Sequence, residues 1–125
     1  MERAEALVSA NVDLIIMDSP HAHNLLAKKA IKSFRDKFGD FPLIVGNIAT
    51  KEAALFLIHH GVDGIKVGVG PGAACTTRLN TGSGAAQITA IMECFDVART
   101  HGVGVIADGG VKTPGSFAKA IAAGG

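Results

Sequence analysis

The chain has 125 residues, of which 48% are hydrophobic, and its 12 basic and 11 acidic side chains give a formal net charge of +1. A chain of this length can bury one hydrophobic core, and none of its apolar runs approaches the roughly 20 residues that a membrane helix requires. The charges are dispersed, which disfavours a nucleic-acid or membrane surface. Two cysteines without paired spacing and the absence of a signal segment lead us to expect a cytoplasmic protein without disulfides.

Short apolar segments alternate along the chain with longer segments of helical periodicity. We predict strands at residues 13–17, 43–45, 64–67 and 104–107, and helices at 2–9, 23–37, 51–60, 85–100 and 114–122. This alternation is typical of βα units around a buried parallel sheet. Two threonines, Thr50 and Thr113, precede predicted helices as N-caps. Helical spacing predicts two buried faces, one of Leu26, Ala30, Phe34 and Phe38, the other of Ile88, Ile91, Met92 and Phe95.

A weak internal repeat indicates that the units occur in tandem. Residues 11–15 resemble residues 61–65, and residues 101–105 take the same place before the last predicted strand. Because a complete eight-unit barrel takes ~250 residues, we predict an α/β fold that is a partial (β/α)8 TIM barrel of about four consecutive βα units with parallel strands. We expect residues 1–125 to be one segment of a catalytic barrel, truncated at the C-terminus and at the N-terminus.

The loop after the third predicted strand, residues 67–78 (VGVGPGAACTTR), is the most informative about chemistry. Three glycines in five positions permit sharp turns and expose backbone amide and carbonyl groups, as a site for an anion or a cation requires. Cys75, Thr77 and Arg78 then supply a thiol, a hydroxyl and a guanidinium group. By spacing alone, an inert small cysteine in a glycine-rich turn is as good an interpretation as a reactive one. Arg78 fits a surface position or an ion pair as well as a substrate contact.

Polar or reactive residues follow all four predicted strands. Asp18, Asn47, the Cys75 loop and Asp108 fall at the strands' C-terminal ends, where βα barrels carry their catalytic groups. A purely structural sheet has no need of such residues at every strand end. For Asp108, which precedes two glycines, an ordinary Asp-Gly turn is the alternative.

Together these motifs resemble the IMP dehydrogenase and GMP reductase family. The Cys75 loop is similar to the family pattern Gly-x-Gly-x-Gly-Ser-x-Cys-x-Thr-Arg, and residues 12–19, 46–50, 81–90, 107–110 and 118–124 match further family motifs in the same order. The resemblance implies a purine-nucleotide oxidoreductase that oxidises IMP to XMP with NAD through a covalent Cys75 intermediate. The alternatives are a GMP reductase, which converts GMP to IMP with NADPH, and a non-catalytic half-barrel that only binds a nucleotide.

The resemblance also implies a role for each site residue. Cys75 would attack C2 of the purine as a thiolate, and Thr77 would assist the leaving group or the water at that carbon. The expected substrate site contains Asp108, Gly110, Ala73 and Asn47, and the expected site for NAD, or NADP in a reductase, contains Asp18, Ser19, Gly68 and Gly70. The carbonyl oxygens of Gly70, Gly72 and Cys75 would hold a monovalent cation such as potassium.

Further expectations concern partners and departures from the family pattern. The resemblance implies a purine nucleoside monophosphate as ligand, no nucleic acid or membrane partner, and a homotetrameric parent protein. The segment alone is expected to be inactive and to self-associate. Ala73 replaces a family serine, and losing one hydrogen bond to a charged phosphate costs ~1.5–3 kcal/mol unless water replaces it. We expect Cys94 to serve in packing and assign no metal to His21 and His23.

Overall fold

Four parallel strands form a single sheet in the computed structural model, which describes all 125 residues. The strands β1 (Ile15–Asp18), β2 (Leu43–Ile48), β3 (Gly64–Val67) and β4 (Gly104–Ala107) are neighbours in chain order. The helices are α1 (Glu2–Ser9), α2 (Leu25–Phe38), α3 (Lys51–Ile58), α4 (Thr77–Thr81), α5 (Gln87–Ala98) and α6 (Pro114–Ala122), with a 3-10 turn at Arg99–His101. The predicted α/β class and the four βα units are confirmed. None of these helices combines the length and the apolar character needed to cross a membrane.

Side-chain caps fix where three of the helices begin. The hydroxyl of Thr50 accepts a hydrogen bond from the Ala53 N–H at 3.2 Å, and the hydroxyl of Thr113 accepts one from the Ser116 N–H at 3.1 Å. Both predicted N-caps are therefore confirmed. Asn24 caps α2 in the same way, which explains why this helix begins at Leu25 and not at residue 23 as predicted.

The helices cover one face of the sheet and form the core there. Val45, Ile65 and Val67 of the sheet are almost fully buried, as are Phe34 and Leu57 of the helices. The predicted buried face of α2 is confirmed at Phe34 and Phe38 but is wrong at Leu26, which is 77% exposed, whereas Ile31 is fully buried. The prediction for α5 is wrong at Met92, which is 55% exposed, because the inward face of α5 is formed by Ala90, Ile91, Cys94, Val97 and Ala98.

The opposite face of the sheet carries no helix of this chain. Ile16 of β1 and Ile106 of β4 point to this face and are 49% and 40% exposed. The strand register places Asp18, Gly46, Lys66 and Ile106 side by side in one row across it. In a complete βα barrel this face would line the interior.

The carboxyl ends of the four strands meet at one edge of the sheet. β2 is longer than predicted, so that Asn47 lies within the strand and not after it. The parallel hydrogen bonding continues for one residue beyond the ends of β1, β3 and β4. The N–H groups of Ser19, Gly68 and Asp108 donate to carbonyls of the neighbouring strands at 2.8–2.9 Å. This edge is where the sequence places its polar residues.

Candidate active site

A cleft of about 420 Å³ opens at the carboxyl edge of the sheet. It is lined by 11 residues: Asp18, Ser19, Pro20, Asn47, Lys66, Gly68, Val69, Gly70, Cys75, Thr77 and Asp108. Most of the predicted site residues therefore come together. Three do not line the cleft: Ala73 and Gly110 are exposed, and the Gly72 backbone lies close to Gly109.

Two features fix the loop between β3 and α5: the close approach of Gly68 to the Asp108 carbonyl and the side chain of Arg78. A side chain at Gly68, which has a positive φ of 154°, would clash with the carbonyl oxygen of Asp108, so that only glycine permits this approach of the loop to β4. Arg78 packs along Gly70 and Gly84 and donates a hydrogen bond to the Ala85 carbonyl. Arg78 is therefore an exposed residue whose side chain holds the loop closed on itself, and it does not line the cleft.

Cys75 presents its thiol to the cleft beside a hydroxyl. The Sγ atom of Cys75 lies 3.3 Å from Oγ1 of Thr77, the first residue of α4. The hydrogen bonds that the Thr77 side chain and backbone offer to the thiolate lower the pKa of Cys75, and the Arg78 charge adds to this effect. A half-exposed thiol with a lowered pKa has the properties of a nucleophile.

The second cysteine has the opposite environment. Cys94 is fully buried in the core, and burial, together with the nearby Glu93 and Glu52, raises the pKa of its thiol to about 12. The position of Cys94 agrees with the predicted packing role. Of the two free thiols, Cys75 is the accessible one and the one whose pKa is lowered.

Only one of the two carboxylate oxygens of Asp108 accepts hydrogen bonds from the protein. Its Oδ2 atom accepts hydrogen bonds from Asn47 Nδ2 at 2.8 Å and from Lys66 Nζ at 2.6 Å. The Asn47 bond, followed by the Lys66 bond and charge, lowers the pKa of Asp108 against the opposing effect of burial. No protein group donates to Oδ1, which leaves an ionised oxygen as an acceptor for a ligand hydroxyl.

Lys66 is the cleft residue that the sequence interpretation missed. Its Nζ lies 2.8 Å from Asp18 Oδ1 and 2.6 Å from Asp108 Oδ2. Burial lowers the pKa of Lys66, but hydrogen bonds and charges from Asp108 and Asp18 outweigh that effect and raise it. A single charged residue in the strand sequence GIKV, two residues before Gly68, is the signal that could have revealed it.

Two side-chain amides tie the loop and strand ends together. Asn47 Nδ2 donates to the Gly68 carbonyl at 2.8 Å as well as to Asp108, and Gln87 Nε2 donates to the carbonyls of Val67 and Asp108 at 2.9 and 3.2 Å. The oxygens Asn47 Oδ1 and Gln87 Oε1 are buried without a protein partner. An unpaired buried acceptor costs ~1–3 kcal/mol, so the Asn47 oxygen is suited to a ligand or water donor.

The comparison with known proteins agrees with this geometry. The family model described as "IMP dehydrogenase / GMP reductase domain" matches residues 1–125. The chain belongs to this family. An inosine-5'-monophosphate dehydrogenase from Methanocaldococcus jannaschii is 54% identical over 125 residues, covering 98% of this chain and 25% of its own length. A GMP reductase from Leishmania donovani is 50% identical over 125 residues, with 98% of this chain and 25% of its own length covered.

Solved structures of the family have the same fold. The GMP reductase of Trypanosoma brucei in complex with guanosine 5'-monophosphate superimposes with a TM-score of 0.96 at 44% identity, covering 99% of this chain and 26% of that one. The IMP dehydrogenase / GMP reductase segment described here therefore spans about a quarter of the length of the relatives that it matches. The resemblance inferred from the motifs and the predicted fold are both confirmed.

Proposed function

We propose that residues 1–125 carry the reactive thiol and both ribose-binding carboxylates of a purine-nucleotide oxidoreductase that oxidises IMP to XMP with NAD. The observation that carries the proposal is the convergence of Cys75, with its lowered pKa, and the carboxylates of Asp108 and Asp18 in one cleft. Membership of the IMP dehydrogenase / GMP reductase family supports the substrate class. In this proposal the segment is part of a larger catalytic barrel.

The chemistry assigned to the chain is covalent catalysis at C2 of the purine. The Cys75 thiolate adds to C2 and forms a carbon–sulfur bond. A nicotinamide cofactor supplies, when bound, the acceptor for the hydride that C2 loses. Water then replaces sulfur at C2, and the thiolate is released. Thr77, whose hydroxyl lies 3.3 Å from the sulfur, is suited to hydrogen-bond both the thiolate and that water.

The substrate ribose is assigned to Asp108. Its Oδ1 atom is free of protein donors, so it can accept hydrogen bonds from ribose hydroxyls. Asn47, which holds Asp108 and carries an unpaired Oδ1, is assigned to the base or to ordering the Cys75 loop. Gly110 and Ala73 remain assigned to the phosphate side, where the missing Ser hydroxyl at position 73 weakens binding.

The residues assigned to the cofactor fit a second ribose. The side chain of Asp18 is 66% exposed at the cleft mouth and bonds Lys66 through Oδ1, which leaves its other oxygen as an acceptor. Gly68 and Gly70 line the same wall without side chains. Ser19 donates its hydroxyl to the Gly46 carbonyl at 3.0 Å, so it contributes by fixing the end of β1.

We assign a monovalent cation such as potassium to the carbonyls of Gly70, Gly72 and Cys75. The Gly72 carbonyl accepts the Cys75 N–H at 3.1 Å, which folds this part of the loop into a tight turn. Each carbonyl oxygen has a second lone pair, and hard oxygen ligands suit such a cation. Bound there, the cation would rigidify the backbone that carries the nucleophile.

A GMP reductase is the second candidate. The 50% identity to the Leishmania donovani GMP reductase and the 44% identity to the Trypanosoma brucei structure support it. In that case the same thiol would add to C2 of GMP, ammonia would leave, and NADPH would supply the hydride that replaces sulfur at C2 and releases the thiolate. We further propose a cytoplasmic, homotetrameric parent protein; the two unpaired thiols of this segment suit a reducing compartment.

Turnover by the full-length protein that contains this segment tests the proposal. Nicotinamide absorbance is followed with IMP and NAD and, separately, with GMP and NADPH. We expect activity with the first pair, complete loss in Cys75→Ala and little change in Cys94→Ala. Activity only with the second pair identifies the reductase. Binding of nucleotide without any turnover would indicate the non-catalytic half-barrel.

A further inference from the structure

Lys66 crosses a neighbouring strand to reach its first carboxylate. Asp18 of β1, Gly46 of β2 and Lys66 of β3 occupy one row across the sheet. The strand β2 therefore lies between Lys66 and Asp18. Gly46 offers no side chain in this row, and a Cβ there would lie 2.5 Å from both Cβ and the carbonyl oxygen of Lys66. The empty position lets the lysine stem lie across β2, so that its ammonium group meets Asp18 at 2.8 Å.

The same ammonium group holds the second carboxylate. Asp108 follows β4 on the other side of Lys66, at 2.6 Å. The Lys66 side chain is only 14% exposed, whereas those of Asp18 and Asp108 are 66% and 42% exposed. The cation is thus embedded in the floor of the cleft, and both of its partners keep oxygen atoms open to solvent. Among the residues that line the cleft, Lys66 is the only one with a positive charge.

We propose that Lys66 is a positioning residue for both ligand subsites, because one ammonium group orients the two carboxylates that accept the two riboses. This inference rests on the proposed function, which assigns Asp108 to the nucleotide ribose and Asp18 to the cofactor ribose. Without the ammonium group the carboxylates lose a charged donor, repel each other and can turn to water. Both ligands then bind to acceptors that are no longer preorganised.

A single substitution at Lys66 should therefore weaken the binding of two ligands, although each ligand contacts a different carboxylate. Lys66→Met keeps much of the aliphatic stem and removes the charge, and Lys29→Met is the matched control on an exposed lysine of α2 that forms no ion pair. In the full-length protein, IMP, GMP and NAD are titrated separately by calorimetry. We expect Lys66→Met to weaken nucleotide and cofactor binding by about threefold to tenfold each, and Lys29→Met to leave both unchanged.

Two further readouts separate positioning from a merely structural role. Lys66→Arg keeps a charged donor and should restore most of both affinities, whereas Lys66→Gln should behave like Lys66→Met. In addition, Lys66 helps to lower the pKa of Asp108, so the acid limb of nucleotide affinity should move to higher pH in Lys66→Met. The other titratable groups facing Lys66 in the cleft are Asp18 and Cys75. Urea unfolding confirms that each variant is folded, and Lys66→Gln replaces Lys66→Met if the latter is not.

The outcomes distinguish this inference from the proposed function. If the wild-type protein binds both ligands and neither neutral variant weakens either of them, or each weakens only one, the shared positioning role is wrong and the proposed function stands. If the wild-type protein binds neither a purine monophosphate nor a nicotinamide cofactor, the proposed function fails and the inference fails with it. A parallel loss of both affinities that Lys66→Arg reverses supports both.

Discussion

The two carboxylates in the cleft each use one oxygen to accept hydrogen bonds from the protein and leave the other oxygen free for a ligand. Asp108 uses Oδ2 for Asn47 and Lys66, and Asp18 uses Oδ1 for Lys66. Each carboxylate therefore keeps one oxygen without a protein donor, at different strand ends. This separation is the structural basis for assigning each carboxylate to a different ribose.

Substitution of each carboxylate should affect a different ligand. We expect Asp108→Ala to weaken nucleotide monophosphate binding by about tenfold or more, because hydrogen bonds to a charged group contribute ~1.5–3 kcal/mol, with little effect on NAD. Asp18→Ala should do the reverse. Separate titrations of the two ligands against both variants measure this, with exposed Asp36→Ala as control. Weakening of the same ligand in both variants would refute the division.

The reactivity of Cys75 should depend on its neighbour Thr77. The hydrogen bond from the Thr77 side chain is the largest cause of the lowered pKa of Cys75. Thr77→Val keeps the shape and the backbone N–H but removes the hydroxyl, so we expect the pH midpoint of Cys75 alkylation by iodoacetamide to move upward. Thr89→Val, at an exposed position of α5, is the control. An unchanged midpoint would show that the hydroxyl does not stabilise the thiolate.

The pKa of Asp108 should also link the proposed nucleotide binding to pH. Because this pKa lies below the ordinary value, the folded protein favours the ionised carboxylate. Its contribution to stability is fully present above the ordinary pKa of about 3.8 and is lost as the pH falls through the lowered folded value. We expect Asn47→Ala, which removes the largest cause of the shift, to raise the pH at which nucleotide affinity begins to fall. A pH series of nucleotide titrations would contradict this if the two profiles coincide.

At the scale of whole elements, the close pairing of β2 with β3 leaves no room for a side chain at Gly46. A Cβ at Gly46 would lie 2.5 Å from the Lys66 carbonyl oxygen, a backbone atom that cannot move without the strand. Gly104 lies on the same face of the sheet in β4, and nothing lies within 4 Å of a Cβ added there. The two strand glycines therefore provide a matched pair.

Gly46→Ala should destabilise the chain, and Gly104→Ala should not. Overpacking a close contact of this kind costs ~1–3 kcal/mol or more. Urea unfolding of the two variants beside the wild type measures the free energy of unfolding. Equal stability of all three proteins would mean that β2 and β3 can separate without loss.

The elements also show how far the sequence predicts the structure. The strand positions and the caps Thr50 and Thr113 are predictable because β-branched runs and capping residues act locally. The buried side of the first half of α2 is not, because Leu26 and Ile31 are equally apolar and only the sheet decides which of them is buried. Lys66 was missed for a related reason: its two partners lie in β1 and just after β4, 48 and 42 residues away in sequence.

At the scale of the whole molecule, the sheet has one covered and one uncovered face. β1 and β4 leave two open edges, and Ile16 and Ile106 on the uncovered face are 49% and 40% exposed. Open edges and exposed apolar faces favour pairing with another chain. In the proposed larger barrel, further strands would pair with both edges, and the uncovered face would line the interior.

The isolated 125-residue chain should therefore self-associate and lack turnover. Sedimentation of the purified chain should give a mass above that of the monomer, and nicotinamide absorbance should not change with IMP and NAD. The double variant Ile16→Lys/Ile106→Lys should sediment closer to the monomer. A monomeric wild-type chain that turns over substrate would contradict the proposed barrel segment.

The proposed function depends above all on a covalent bond between Cys75 and the purine. The most direct measurement is peptide mass spectrometry of the full-length protein, quenched in acid during turnover with IMP and NAD. We expect a nucleotide adduct on the peptide that contains Cys75, none on the peptide that contains Cys94, and no adduct in Cys75→Ala. Turnover without any adduct at Cys75, or turnover that survives Cys75→Ala, would contradict the account.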